Sequence, residues 1–182
     1  DTLFFASNLF LGESYYRVSK ADSSIFFLKN AEKLLSEKDS KLEASRLYNS
    51  LGVIYYESGN YIQSINYFNQ ARDLSVGDKE FSELDEYLQY AEYSLLNNIG
   101  SSLLGLSQLD SALEIYQDIL SFGINDDRAL SQISEVYLEK SEPDSAFNYL
   151  NMITSDQIKN SISFHNQLAE VYFLKRDFMK SK

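Results

Sequence analysis

His165 is the only histidine in the sequence and no cysteine accompanies it. An imidazole base therefore has no thiol to activate and no second imidazole with which to share a metal. A metal site would have to be built from carboxylates. The densest acidic stretch, SELDEY at 82–87, lacks the Asp-x-Asp-x-Asp-Gly spacing by which a calcium loop wraps its ion, and reads as a solvated helix face. Serine is abundant, yet no serine, histidine and aspartate stand at a spacing that predicts a catalytic triad. No glycine-rich phosphate loop and no nucleophile-elbow string occurs. The residues thus predict no catalytic, cofactor-binding or metal-binding site and no enzyme, and His165 reads as a packing or surface side chain.

Binding to another macromolecule is the remaining class, and charge narrows it. The formal charge is -11, which opposes contact with nucleic acid or an anionic membrane surface through this segment, because phosphates are held by clustered lysine and arginine. Hydrophobic residues at 44%, aromatics at 14% and a single proline predict a folded chain rather than a disordered one. With 182 residues, the sequence has room for one domain or a short array of repeats. No apolar run approaches the roughly 20 residues that span a bilayer, and the opening DTLFFASNLFLGESYY has no basic n-region. Absence of cysteine excludes a disulfide framework and leaves cytoplasmic and exported settings equally compatible.

The elements that would carry a binding surface emerge from internal repetition. LGESYY (11–16), LGVIYY (51–56), IGSSLL (99–104), ISEVYL (133–138) and LAEVYF (168–173) align on an apolar residue, a small one, and an aromatic or aliphatic residue four positions after the first. A second signature follows each: ADSS (21–24), YIQS (61–64), LDSA (109–112), PDSA (143–146) and FMKS (178–181). Apolar residues recur at helical spacing, as in Leu47, Leu51, Ile54 and Tyr55, then Ile65, Phe68, Ala71 and Leu74. Asp22, Asp110 and Asp144 fall in the first turns of the second helices, where a carboxylate meets free N–H groups and the positive end of the dipole, and Pro143 is tolerated there for want of a needed donor.

Residues 45–78 resemble one tetratricopeptide repeat. The family's W-x-x-L-G-x-x-Y pattern stands as Tyr48, Leu51, Gly52 and Tyr55, and its later positions as Gly59, Tyr61, Ser64, Phe68 and Ala71, with Val76 replacing the late proline. The resemblance implies an all-α fold, a right-handed superhelix of stacked antiparallel helix pairs. It gives a single array over 1–182 of about four and a half repeats, at 5–38, 45–78, 93–126, 127–160 and a partial 162–182. Residues 36–43 and 79–92 are extra. They are helix-compatible and predict extended helices meeting at a turn near Gly77, with one long helix from about residue 80 to 106. In LGVIYYESGNY, Gly52 is expected at a close helix approach and Gly59 at the turn, Tyr55 between helices and Tyr56 on the groove.

The resemblance further implies that a concave groove lined by first helices holds a protein or peptide segment. Carried over position by position, the groove comprises Glu13, Tyr16 and Arg17 from the first unit, and Arg46, Asn49, Ser50, Tyr56 and Glu57 from the second. The third offers Asn97, Asn98, Ser101 and Leu104, the fourth Arg128, Ser131, Gln132, Glu135 and Leu138, and Asn166 and Glu170 close the far end. Amides can pair with an extended backbone and the arginines with a carboxylate. Leu9, Glu13 and Ser50 occupy the positions where members that clamp acidic chaperone tails carry Lys or Asn, so that clamp is not expected.

A non-enzymatic peptide-binding scaffold is the leading expectation. The alternative is the sensory part of a larger bacterial signalling or transcription-regulatory protein, since the D-S-A/S helix starts and the Ser, Asn, Ile and Tyr-rich composition look like repeat regions of Bacteroidetes-type regulators. The start at Asp1 and the half-built fifth unit predict a fragment of a longer protein, with self-association through the C-terminal end as a further expectation.

Overall fold

The computed structural model describes the backbone of residues 2–36, 39–123 and 126–180, with side chains for 3–36, 39–123 and 126–176. Among the described residues there is no strand, and no helix is long and apolar enough to cross a membrane. The fold is all-α. The helices are α1 (Thr2–Arg17), α2 (Ala21–Leu34), α3 (Lys41–Glu57), α4 (Tyr61–Ser75), α5 (Glu86–Gly105), α6 (Leu109–Ser121), α7 (Asp127–Glu139), α8 (Pro143–Met152), the short α9 (Asp156–Lys159) and α10 (Ile162–Lys180). They divide into two compact units, Asp1–Leu106 and Ser107–Lys182.

Corners between helices are set by one residue each. Ser19, Gly59, Ser107 and Ser141 have φ of 56°, 75°, 56° and 59°, and these corners keep the unequal spacing of the sequence motifs. A left-handed residue lets the chain reverse while the last carbonyls of the helix still find donors. The N–H groups of Lys20, Asn60 and Glu142 accordingly donate to the carbonyls of Tyr15, Tyr55 and Tyr137 at 3.0, 2.9 and 2.8 Å. Serine accepts the conformation at a cost that glycine avoids.

Arg176 stands at the same register position, but α10 remains helical through it to Lys180. The turn and second helix expected from residue 178 do not form there, because Leu174, Lys175 and Arg176 are all good helix formers and none stops the helix. Ser181, which closes the fifth motif, lies outside the described residues.

The long helix expected from about residue 80 begins at Glu86 instead. Asp85 stops it by accepting from the Leu88 N–H at 2.9 Å, and a 3-10 turn at Phe81–Glu83 precedes it. A good cap outweighed the helix-compatible composition upstream. Residues 36, 39 and 40 likewise do not extend α2 or α3. Asp39 accepts from the Ser36 N–H and hydroxyl, both at 2.8 Å, while 37 and 38 lie outside the described residues.

Within the first unit, Phe5, Leu9, Leu28, Leu47, Leu51 and Tyr67 form a common core. Close approach of the pairs depends on missing Cβ atoms: one built on Gly12 would sit 2.5 Å from Leu28 Cγ, and one on Gly52 2.5 Å from the Phe68 ring. The gap also admits a polar contact. Ser24 Oγ donates to the Gly12 carbonyl at 2.8 Å and Ser64 Oγ to the Gly52 carbonyl at 2.9 Å, both buried. Between α4 and α5, Arg72 Nε donates to both oxygens of Glu92 at 2.7 and 2.9 Å, and Glu92 is only 3% exposed.

The second unit centres on Leu130, Leu138, Ala146, Leu150, Ile153 and Val171. Ala112 and Ala146 replace the bonding serines of the first unit. Asp110 and Asp144 do lie in first turns, and each also accepts from a lysine of a following helix, Lys140 at 2.6 Å and Lys175 at 2.8 Å. Asp127 fastens the α8–α9 loop by accepting from the N–H groups of Thr154 and Ser155 at 3.0 and 2.6 Å and from the Thr154 hydroxyl at 3.1 Å.

Candidate functional site

Six of the expected groove residues, Glu13, Tyr16, Arg17, Arg46, Asn49 and Ser50, converge in the first unit. Tyr16 and Arg17 from the end of α1 and Arg46 and Asn49 from α3 line a recess of about 300 Å³, with Glu13, Ser50 and Val53 completing it. They meet because both helices present residues three or four apart on one face. Two of the polar groups are already engaged. Arg46 Nη2 donates to both oxygens of Glu13 at 3.0 and 2.7 Å, so this arginine braces α1 against α3. Tyr16 donates to Glu57 Oε1 at 2.7 Å, and this hydrogen bond, with burial second, pushes its phenol up to about 12.

Two groups remain open. Among the described residues Arg17 has no acid or hydrogen-bond partner, and it is exposed at the mouth of the recess. Asn49 Oδ1 is shut off from solvent without any donor. An unsatisfied buried amide oxygen is costly, and a donor brought by a bound molecule would relieve it.

Arg46 and Asn49 also border a second recess of about 360 Å³, whose other walls include Leu42, Tyr87, Tyr90 and Ser94. Reasoning from the repeat missed Leu42 and both tyrosines because they lie in the segments set aside as extra. A signal existed: Leu42 and Tyr90 each stand three residues before a repeat start, and Tyr90 is 70% exposed.

In the second unit the expected residues separate. Arg128 borders a recess of about 400 Å³ between the start of α7 and the α9 region, beside Asp126, Asp127, Ser155 and Ser161. Glu135, Leu138, Asn166 and Glu170 share another, of about 430 Å³, between α7 and α10, together with Glu139, Ile162, Ser163 and Gln167. Burial, then the charges of Glu139 and Glu170, push the Glu135 carboxyl above its ordinary range. Gln167 and Glu139 were not expected.

Other expected residues line none of these recesses. Tyr56 packs its ring against Tyr61, with centroids 5.6 Å apart, while Tyr55 stacks on Tyr67 at 5.3 Å. Asn97 donates to the Tyr93 carbonyl of its own helix at 2.9 Å. Asn98, Ser101 and Leu104 sit half-buried on α5, and Gln132 and Ser131 half-buried on α7, where Ser131 donates to Gln167 Oε1 at 3.3 Å. His165 is exposed, its Nδ1 within 2.8 Å of the Ser161 carbonyl.

Residues 45–75 match the tetratricopeptide repeat family model. No curated protein matches the sequence. Among solved structures, RapI in its apo form is similar at a TM-score of 0.76 and 18% identity, over 97% of this chain and 64% of that one. The Cut9–Hcn1 hetero-tetramer of the APC/C is similar at 0.69 and 22% identity, over 90% of this chain but 29% of that one. YrrB, a TPR protein with an unusual peptide-binding site, gives 0.60 and 18% identity over 94% and 87% of the two chains. The chain thus spans less than two thirds of the first two.

Proposed function

From the premise of a tetratricopeptide-repeat fold, a helical scaffold for protein interaction, we propose that this chain is a non-enzymatic module that holds an extended protein segment against its first helices. The observation that carries the reading is the α1–α3 recess of the first unit, where Arg17 and the Asn49 carbonyl stay uncommitted beside a Glu13–Arg46 pair that holds the walls apart. An extended peptide supplies what they lack: backbone N–H groups for the amide oxygen and a carboxylate for the guanidinium. The Tyr16–Glu57 bond keeps the adjoining wall ordered, so less conformational entropy is lost on binding.

The test is direct binding. A partner recovered by pull-down is reduced to the synthetic segment that binds, and its affinity is measured for the native chain and for the Arg17→Ala/Asn49→Ala double variant. Affinity should fall by about tenfold or more while helicity is unchanged, the loss expected for one charged and one neutral hydrogen bond. An unchanged affinity overturns the reading.

A further inference from the structure

Leu42 on α3 and Tyr87 and Tyr90 on α5 leave 44%, 56% and 70% of their surface in solvent, yet all three line the recess of about 360 Å³ beside Asn49. Single exposed apolar side chains are ordinary, whereas several converging on one concavity mark a contact surface. Helical spacing brings them there: Leu42, Arg46 and Asn49 share a stripe of α3, and Tyr87, Tyr90 and Ser94 a stripe of α5.

Most polar groups of the same wall are committed within the fold. Ser45 and Ser75 both donate to the Ala71 carbonyl at 2.9 Å, and Arg46 is held by Glu13. Among the described residues of the lining, Arg46 alone is charged. A lysine seated here would find no carboxylate in the lining, and an acid no free cation. Asn49 is the exception, because its Oδ1 is buried without a donor. It borders both this recess and the one between α1 and α3, so the two recesses meet at its side chain.

We propose that the segment held by the first unit is an acidic and apolar one: it seats a leucine, isoleucine or phenylalanine against Leu42, Tyr87 and Tyr90. A backbone N–H of that segment donates to Asn49 Oδ1, and an acidic residue on the other side of Asn49 reaches Arg17. The inference rests on the reading of the chain as a holder of extended segments and adds the chemistry of the occupant. Covering the three exposed side chains removes apolar surface from water on both partners, which supplies affinity that the polar contacts alone lack. The rigid tyrosine rings lose little freedom on contact.

The test uses short fluorescein-labelled peptides of glycine and serine, titrated by anisotropy against the whole chain. Each carries one aspartate and, at varied spacing to either side of it, one leucine, phenylalanine, lysine or serine. At one direction and spacing, the leucine and phenylalanine peptides should bind about tenfold more tightly than their serine and lysine counterparts. Tyr87→Ser/Tyr90→Ser should bring them to the serine level with helicity unchanged by circular dichroism, while Tyr87→Phe/Tyr90→Phe, which keeps both rings, should retain the preference. Equal binding of leucine and serine peptides, a preference for lysine, no binding by any peptide, or a preference that survives loss of both rings overturns the assignment. The Arg17/Asn49 measurement uses the recovered partner segment and reads the α1–α3 recess, so a peptide set without an apolar preference leaves that reading standing.

Discussion

Helix pairs of the first unit are fastened by polar contacts inside the packing, whereas those of the second are fastened by ion pairs at the rim. Ser24, Ser64 and the Arg72–Glu92 pair all place a polar atom in a buried interface. Lys140 and Lys175 instead reach aspartates that are 86% and 88% exposed on their side chains. The difference teaches where mutation should hurt. A buried carboxylate that loses its cation has nowhere to go, while an exposed pair exchanges its partner for water and is screened by salt.

The sharpest way to break the contrast is Arg72→Ala, which strands Glu92 at 3% exposure. It should cost about 3 kcal/mol in urea denaturation, with hydrogen-exchange protection lost first in α4 and α5, and an Arg72→Met/Glu92→Leu double variant should recover most of it. A loss no larger than that of a surface pair would erase the distinction.

Asp127→Asn tests the exception, a buried anchor in the second unit, and should cost about 1 kcal/mol at neutral pH. Burial opposes the charge of Asp127, but the donors from Thr154 and Ser155 prevail and hold the carboxyl below its ordinary 3.8. A depressed carboxylate contributes stability that is full above the unfolded value and lost as pH falls through the folded one. The gap between the native chain and the variant should therefore close below pH 3.8, as read from denaturation midpoints across a pH series; a gap that stays constant into acid would remove the carboxylate from the account. Least of all should follow from Lys140→Ala, whose denaturation midpoint should match that of the native chain at moderate salt. Any clear shift would mean the rim pairs hold the unit together after all.

The helices were legible because their signals are local and repeated. Gly52 and Ser64 could be placed from the motif alone, and the structure shows the reason in the Phe68 ring and the Gly52 carbonyl. The start of α5 was missed because it turns on one side chain, Asp85, competing with a helix-friendly composition on both sides. The site was legible less completely. Register placed Tyr16, Arg17, Arg46 and Asn49 on first helices, and they do meet. It could not say that Arg46 would be committed to Glu13, or that Tyr56 would turn onto Tyr61, since both depend on contacts between residues that sequence spacing does not relate.

The serine-to-glycine contacts have a kinetic consequence. Each joins residues 12 apart in the chain, so a helix pair can close its own interface before any distant segment arrives. Chains dominated by such short-range contacts search little before they fold, on the order of microseconds to milliseconds. The buried hydroxyl then acts as an early latch: once Ser24 or Ser64 finds its carbonyl, the pair is in register, and the next helix docks onto a surface already made.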